Sequence, residues 1–463
     1  MGARAHKIRV LVWGEAPESP EERKLLRKID FFILTYCCVA FFFNYLDRAV
    51  LANAYVSGMK EDIDITGNQY NILVTCLAVG YIVGQVPHGL VIQKIAPRIW
   101  FPLMTVVWAG LTVACAGCTH YSQLAAVRFL QGIAEASTYS GTQYIIGSWY
   151  KGSEAGKRIG LFQASGMSFI INGIITLPIA AFGFAFFPDL PENTKAFYLK
   201  PEERALALSR LPPKNPDGHQ IGLSIVKRVL FTWNFWILNI FWMLGGALEA
   251  YSTQTCMVLW MKASGLFSVP ENNTYPLGIT AIGIVLTLAT SVAIDATGVH
   301  APYGFFACGV QLIVCVILLC WKLVGTAAKL AAFYMAGTAY LIQPVVFVWA
   351  NKILARGGDD AARAVTLYSM NGASSVLYSF WGIAFYPATD AATGFHKGSI
   401  TMVVVSAALA LWICVVWWQD HRTAKAFDMP QHDADAKLEM GVDELQEFKD
   451  PKAEVQRVTA PVS

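Results

Sequence analysis

The chain has 463 residues, 14% of them charged and 55% apolar, and a formal net charge of +3. A soluble globular domain carries about 25% charged residues, so the composition points away from a soluble protein. The small net charge, with no basic stripe interleaved with aromatics, gives no case for a nucleic-acid partner. Apolar runs of about 20 residues alternate instead with short polar loops, the pattern of an all-α polytopic membrane protein in a lipid bilayer.

Residues 1–28 form a polar N-terminal segment with Arg4, Lys7, Arg9, Arg23, Lys24, Arg27 and Lys28, and no cleavable signal peptide. The first apolar run follows directly and reads as an uncleaved anchor with its basic flank in the cytoplasm. Eleven apolar spans are predicted, at 29–49, 69–91, 99–118, 123–147, 159–187, 232–259, 277–295, 302–321, 330–350, 364–387 and 399–418. They divide into an N-terminal bundle over 29–187 and a C-terminal bundle over 232–419, with a central cytoplasmic loop over 188–231. That loop contains a predicted surface helix opening at Pro201-Glu202-Glu203 and ending near Arg210. Residues 420–463 are charged and apolar-poor, and predict a flexible cytoplasmic tail.

Loop charges orient the chain. Glu61, Asp62 and Asp64 suit the outside; Lys94 and Arg98, then Lys151, Lys157 and Arg158, and later Lys352, Arg356 and Arg363 suit the cytoplasm. Asn272-Asn273-Thr274 is a glycosylation sequon that needs a lumenal face.

Polar residues inside apolar runs are costly, about 2.5–3.5 kcal/mol for a charge on insertion scales, and each needs a reason. Arg128, Gln131, Gly132, Glu135, Thr138 and Thr142 recur at helical spacing and form one stripe. It lines a water-filled path or holds a structural ion pair. Asp47 and Arg48 end the first run, either as a solvated helix end or inside a cavity. Glu249 follows Gly245 and Gly246 deep in apolar sequence, either as a proton carrier or as a helix-to-helix hydrogen bond. Gln343, Trp349, Asn351 and Asn371 suit an organic anion or simple helix association, and Gly80-x-x-x-Gly84 suits close helix packing.

Most of the ten cysteines sit in apolar runs, and Cys115-x-x-Cys118 lacks the context of a redox motif. There is no H-E-x-x-H, no G-x-S-x-G and no nucleotide-binding G-x-x-x-x-G-K-[ST]. Neither an enzyme nor an ATP-driven pump is expected, and no metal or cofactor. A gradient-driven carrier, a channel and a receptor remain.

Several stretches resemble the major facilitator superfamily, and more narrowly the fungal anion:cation symporter group that includes allantoate and pantothenate permeases. They are Asn44-Tyr45-Leu46-Asp47-Arg48, residues 53–62, Ile146-Gly147-Ser148-Trp149-Tyr150, Ala339 to Pro344 and Phe385 to Asp390. The stretch over 53–62 looks most like the pantothenate-transporter branch. Arg128-Phe129-Leu130-Gln131-Gly132 matches the superfamily's R-x-x-Q-G motif, whose Arg is implied in proton coupling. The loop motif G-x-x-x-D-R-x-G-x-R is degraded to Gly89, Gln93, Lys94, Ala96 and Arg98, and Asp295-Ala296-Thr297-Gly298 resembles its echo.

The resemblance implies two six-helix bundles with substrate near the midplane. It implies monomeric import of a small organic anion with a proton across the plasma membrane, pantothenate and allantoate being examples. Arg128 would meet the anion and Glu135 or Glu249 would carry the proton. A transporter-like nutrient sensor without net flux is the alternative.

Eleven spans are one short of twelve. The shortfall falls in the 29 uncharged residues from Ile159 to Phe187, apparently shortened near 167–170. One long tilted helix or a re-entrant hairpin would fit there, and a splice variant or gene-model error would yield an inactive truncated form.

Overall fold

The computed structural model describes residues 19–54, 59, 62–65, 69–166, 182–211, 224–253 and 256–447. Among them there is no strand. A compact body covers Met1–Val416, and Trp417–Ser463 forms a separate unit.

Helix α1 (Pro20–Ile29) opens on Ser19, whose hydroxyl accepts from the Glu22 amide at 2.9 Å. Acids fill its first turn and Arg27 and Lys28 its last, as the helix dipole favours. A π-helical turn, Asp30–Leu34, leads into α2 (Thr35–Ala54). Helices α3 (Gln69–Val91), α4 (Pro97–Cys115), α5 (Tyr121–Trp149) and α6 (Gly152–Gly166) complete the described N-terminal half. The surface helix expected at Pro201 is α7 (Pro201–Ser209).

The second half begins with α8 (Ser224–Leu230), then α9 (Trp233–Leu248), α10 (Ala250–Thr253) and α11 (Cys256–Ser264). Helix α12 (Val269–Thr274) carries the sequon and precedes α13 (Leu277–Thr297) and α14 (Ala301–Leu319). Helix α15 (Thr326–Ala336) passes through a 3-10 segment, Gly337–Leu341, into α16 (Ile342–Ala355). Helix α17 (Asp360–Phe385) and α18 (His396–Glu447) follow.

Six helical stretches among the described residues are long and apolar enough by length and composition to cross a bilayer, which does not confirm the count of eleven expected over the whole chain. Helices α5 and α17 have the length, 29 and 26 residues, but polar side chains turned into the protein dilute their hydropathy. The span at 232–259 is broken at Glu249, and that at 330–350 tightens into the 3-10 segment. Helix α18 continues to Glu447, into the stretch expected as a tail; its Ala, Glu, Lys and Met content is helix-favouring.

A layer of ion pairs fastens the loops around α1. Arg158 grips Asp30 with two bonds of 2.6 and 2.9 Å, a fork that suits a carboxylate. Lys28 meets Glu203 at 2.6 Å, Lys151 meets Glu22 at 3.0 Å, and Arg210 joins Glu22 and Glu154. This end of the bundle is called the α1 face below.

Residues 167–181 lie outside the described residues, but their flanks do not. Ser165 donates to the Cys38 carbonyl at 3.0 Å, while the Phe187 ring lies 4.8 Å from Tyr36. Ser165 and Phe187 thus both lie beside the first turn of α2, while the two arrangements expected for 159–187 fall largely on residues outside those described.

Helices α3 and α5 touch backbone to backbone. A Cβ on Gly132 would stand 2.1 Å from the Leu77 carbonyl oxygen, and one on Gly80 2.0 Å from that of Phe129. Only glycine permits this approach. It fixes the depth and rotation of α5, which carries the polar stripe.

Candidate functional site

A cavity of about 770 Å³ lies between the two halves. Asn44, Tyr81, Arg128, Tyr139 and Gln163 line it from the first half; Trp242, Glu249, Gln343, Asn371 and Ser374 line it from the second. Its walls reach Pro276 and Leu277. These lie at one end of α13, whose other end holds Asp295 on the α1 face. At 1.5 Å per residue the ends are about 30 Å apart, so the cavity extends away from the α1 face.

Arg128 is buried on α5 and donates to Gln131 Oε1 at 2.9 Å. Gln131 in turn donates to the Thr112 hydroxyl on α4 at 3.0 Å. The glutamine therefore positions the guanidinium rather than facing the cavity. Glu135 is fully buried on the same helix but is not among the residues lining the cavity. Arg128 and Glu135 thus belong to one buried stripe, of which the cation reaches the cavity wall.

Glu249 sits where α9 stops and α10 restarts, with ψ near 1°. Its Oε2 accepts from Gln343 Nε2 at 3.1 Å, and its Oε1 has no partner. Gln343 itself opens α16 just after the 3-10 segment, so two interrupted helices bring these side chains together. Backbone groups freed by such breaks need other partners. The Gly246 carbonyl accepts from the Glu249 amide at 2.9 Å and also from the Tyr378 hydroxyl at 2.7 Å. Gly245-Gly246 and Gly337 were the available sequence signals for the interruptions.

Asn371 on α17 donates to the Tyr81 hydroxyl on α3 at 2.8 Å, a bond between the halves at the cavity wall. Asn351 stands elsewhere. Its amide donates to the Phe347 carbonyl of its own helix at 3.0 Å, and its oxygen lies 2.4 Å from where a Gly147 Cβ would stand. It packs in the contact between halves, outside the cavity lining. Asp47 and Arg48 lie on α2 one turn beyond Asn44, but their side chains fall outside the described residues.

Towards the α1 face the halves are sealed. Tyr368, fully buried on α17, inserts between Gly89 and Gly141 and donates to the Ser137 carbonyl at 3.1 Å. Arg363 donates to the Ser148 hydroxyl at 2.6 Å and to the Tyr144 carbonyl at 3.2 Å. Asp295 accepts from the amides of Gly156 and Lys157, at 2.9 and 2.8 Å, at the first turns of α6. A carboxylate there matches the positive helix end. Reading the sequence missed Tyr81, Gln163, Trp242 and Tyr368. Gln163 alone had a signal, being a polar residue in an apolar run.

The Major Facilitator Superfamily sequence profile matches residues 37–168. The chain is 38% identical to the pantothenate transporter liz1 of Schizosaccharomyces pombe, over 87% of this chain and 83% of that one. It is 33% identical to the pantothenate transporter FEN2 of Saccharomyces cerevisiae, over 86% and 84%. Among solved structures, the proton:xylose symporter XylE aligns with a TM-score of 0.59 at 14% identity, over 84% of this chain and 95% of that one; this likeness concerns the fold. The chain belongs to the major facilitator superfamily.

Proposed function

We propose that the protein imports a small organic acid together with a proton, and that pantothenate is the first substrate to test. The observation that carries this reading is the meeting of Arg128, Glu249, Gln343 and Asn371, from both halves, in the wall of one cavity. Arg128 attracts the carboxylate with charge and a planar fork. Glu249, bonded by a neutral amide, carries the proton. Rocking of the halves about the cavity moves both across. The basic loops around Lys151, Arg158 and Arg363 share the α1 face, which favours a cytoplasmic N-terminus and a cavity open to the outside. The relatives named as pantothenate transporters favour the substrate. Radiolabelled pantothenate uptake by yeast lacking its own carrier tests it. Saturable uptake supports import, and signalling without uptake supports the nutrient sensor instead.

A second reading concerns length. The match to liz1 runs over 434 positions, while 87% of 463 is about 403 residues; about 31 positions therefore face no residue of this chain. One span with a turn needs about 20 residues and a few more. Summed over the whole match, the deficit is large enough to hold one further span, as a splice variant or gene-model error near residues 167–170 would leave.

A further inference from the structure

The segments that lead into the first apolar helix of each half, α2 and α9, carry the same arrangement. In the first half it is Leu25, then Arg27-Lys28-Ile29, then Phe31. In the second it is Ile225, then Lys227-Arg228-Val229, then Phe231. Leu25 and Ile29 are buried, as are Ile225 and Val229, so both segments turn the same positions inward. In each, an acid holds the second of the two adjacent cations. Glu203 holds Lys28 at 2.6 Å, and Asp359 holds Arg228 at 2.8 Å. The first cation, Arg27 or Lys227, is exposed. Four residues on, Phe31 is 60% exposed and Phe231 82%. Both segments lie on the α1 face, since Ile225 and Val229 pack with Ala361 and Val365 on the first turns of α17, where Arg363 reaches Ser148.

The helix dipole favours cations in a last turn, and Lys28 and Arg228 already meet that preference as ion pairs. It does not call for a phenylalanine outside the packed core. An aromatic ring exposed where an apolar helix begins suits the interfacial layer of a bilayer. Trp233, 72% exposed at the start of α9, stands at the same level. A cation four residues earlier stands about 6 Å further out along a helix. That is toward the lipid phosphates, which a long side chain reaches while its stem stays on apolar surface. A phosphate in solution would need the cation but not the ring. The two together fit a phospholipid.

We propose that Arg27 with Phe31, and Lys227 with Phe231, form two matched sites for an anionic phospholipid in the leaflet at the α1 face, one at the entry to each half. The exposed cation meets the headgroup, and the ring lies against the upper part of the acyl chains. Lys28 and Arg228 fasten the same two segments to the protein. Each segment is thus tied to the bundle by one cation and to the membrane surface by its neighbour.

The test is native mass spectrometry of the full chain in detergent, with phosphatidylserine or phosphatidylcholine as the added probe. Wild-type protein is expected to hold two molecules of phosphatidylserine, each about fivefold more tightly than phosphatidylcholine, as one cation near an anionic membrane surface implies. Arg27→Gln and Lys227→Gln should each lose one of the two, and the double variant should bind the two lipids equally. Arg27→Lys and Lys227→Arg keep the charge and should keep the preference, which separates loss of a site from loss of folding. Lys94→Gln removes an exposed cation of the α3–α4 loop that has Arg98 rather than a ring four residues on, and should leave both sites intact. A double variant that retains the preference overturns the proposal, as does an equal loss in Lys94→Gln. Displacement of phosphatidylserine by inorganic phosphate at the same concentration also overturns it, by assigning the cations to a soluble anion.

Discussion

Glu249 has one oxygen bonded to Gln343 and the other unpaired, at a helix break inside the bundle. The substitution Glu249→Gln mimics a permanently protonated acid. It is expected to flatten the dependence of uptake on external pH and to reduce accumulation, while exchange of substrate across the membrane persists. An unchanged pH profile would move the proton-carrying role to Glu135. Arg128, Glu249, Gln343 and Asn371 were legible in sequence because a polar group in an apolar run demands a reason. Which of them shares one cavity was not legible, since that depends on two helix interruptions. Tyr81 and Trp242 gave no signal, because aromatic residues are ordinary in membrane helices. Gln131 and Asn351 carried the same signal as the cavity residues. One holds Arg128 and the other packs between halves, roles that spacing alone does not separate.

At the scale of elements, α17 links the cavity to the seal, with Asn371 one turn from Tyr368. Removing the Tyr368 ring should open the α1 face. In a Ser375→Cys background, Tyr368→Ala is expected to let a membrane-impermeant maleimide applied from the α1 face reach residue 375, read by peptide mass. Protection equal to that with Tyr368 intact would exclude the ring as a plug. The ion-pair layer makes a prediction about pH. Burial raises the carboxyls of Glu22 and Glu203, but Lys151 and Arg210 for the first, and Lys28 and the Lys200 amide for the second, outweigh it. Both end below the ordinary value of 4.5. Their stabilisation is therefore complete above that value and is lost as pH falls through the lowered ones. Amide protection of residues 20–34, corrected for intrinsic exchange, should hold from neutral pH to about 4.5 and fall below it. Protection that rises on acidification would contradict the pairing. The elements were largely legible: α3, α4, α13 and α14 fall within a few residues of predicted spans. The breaks at Glu249 and Gly337 were not, because hydropathy does not register a local change of backbone geometry.

For the molecule as a whole, the two-bundle fold and the alternation of loop charge agree. Arg363, bonded to Ser148, and Arg158, bonded to Asp30, share the α1 face. An uncharged run such as 159–187 carries no record in sequence of which way it turns. Sequencing the transcript across Gly166–Ile171 is expected to reveal additional coding sequence, about 20 residues or more for one further span. A message matching this chain, with transport by its product, would contradict that expectation. The most direct test of the central claim is radiolabelled pantothenate uptake by yeast lacking its own carrier, comparing wild type with Arg128→Ala at equal surface expression. The expected result is saturable uptake that rises as external pH falls, collapses with a protonophore, and drops about ten- to a hundredfold in Arg128→Ala, as loss of a charge-assisted contact of about 1.5–3 kcal/mol implies. Uptake by Arg128→Ala at the wild-type rate, or wild-type uptake indifferent to pH and protonophore, would contradict it.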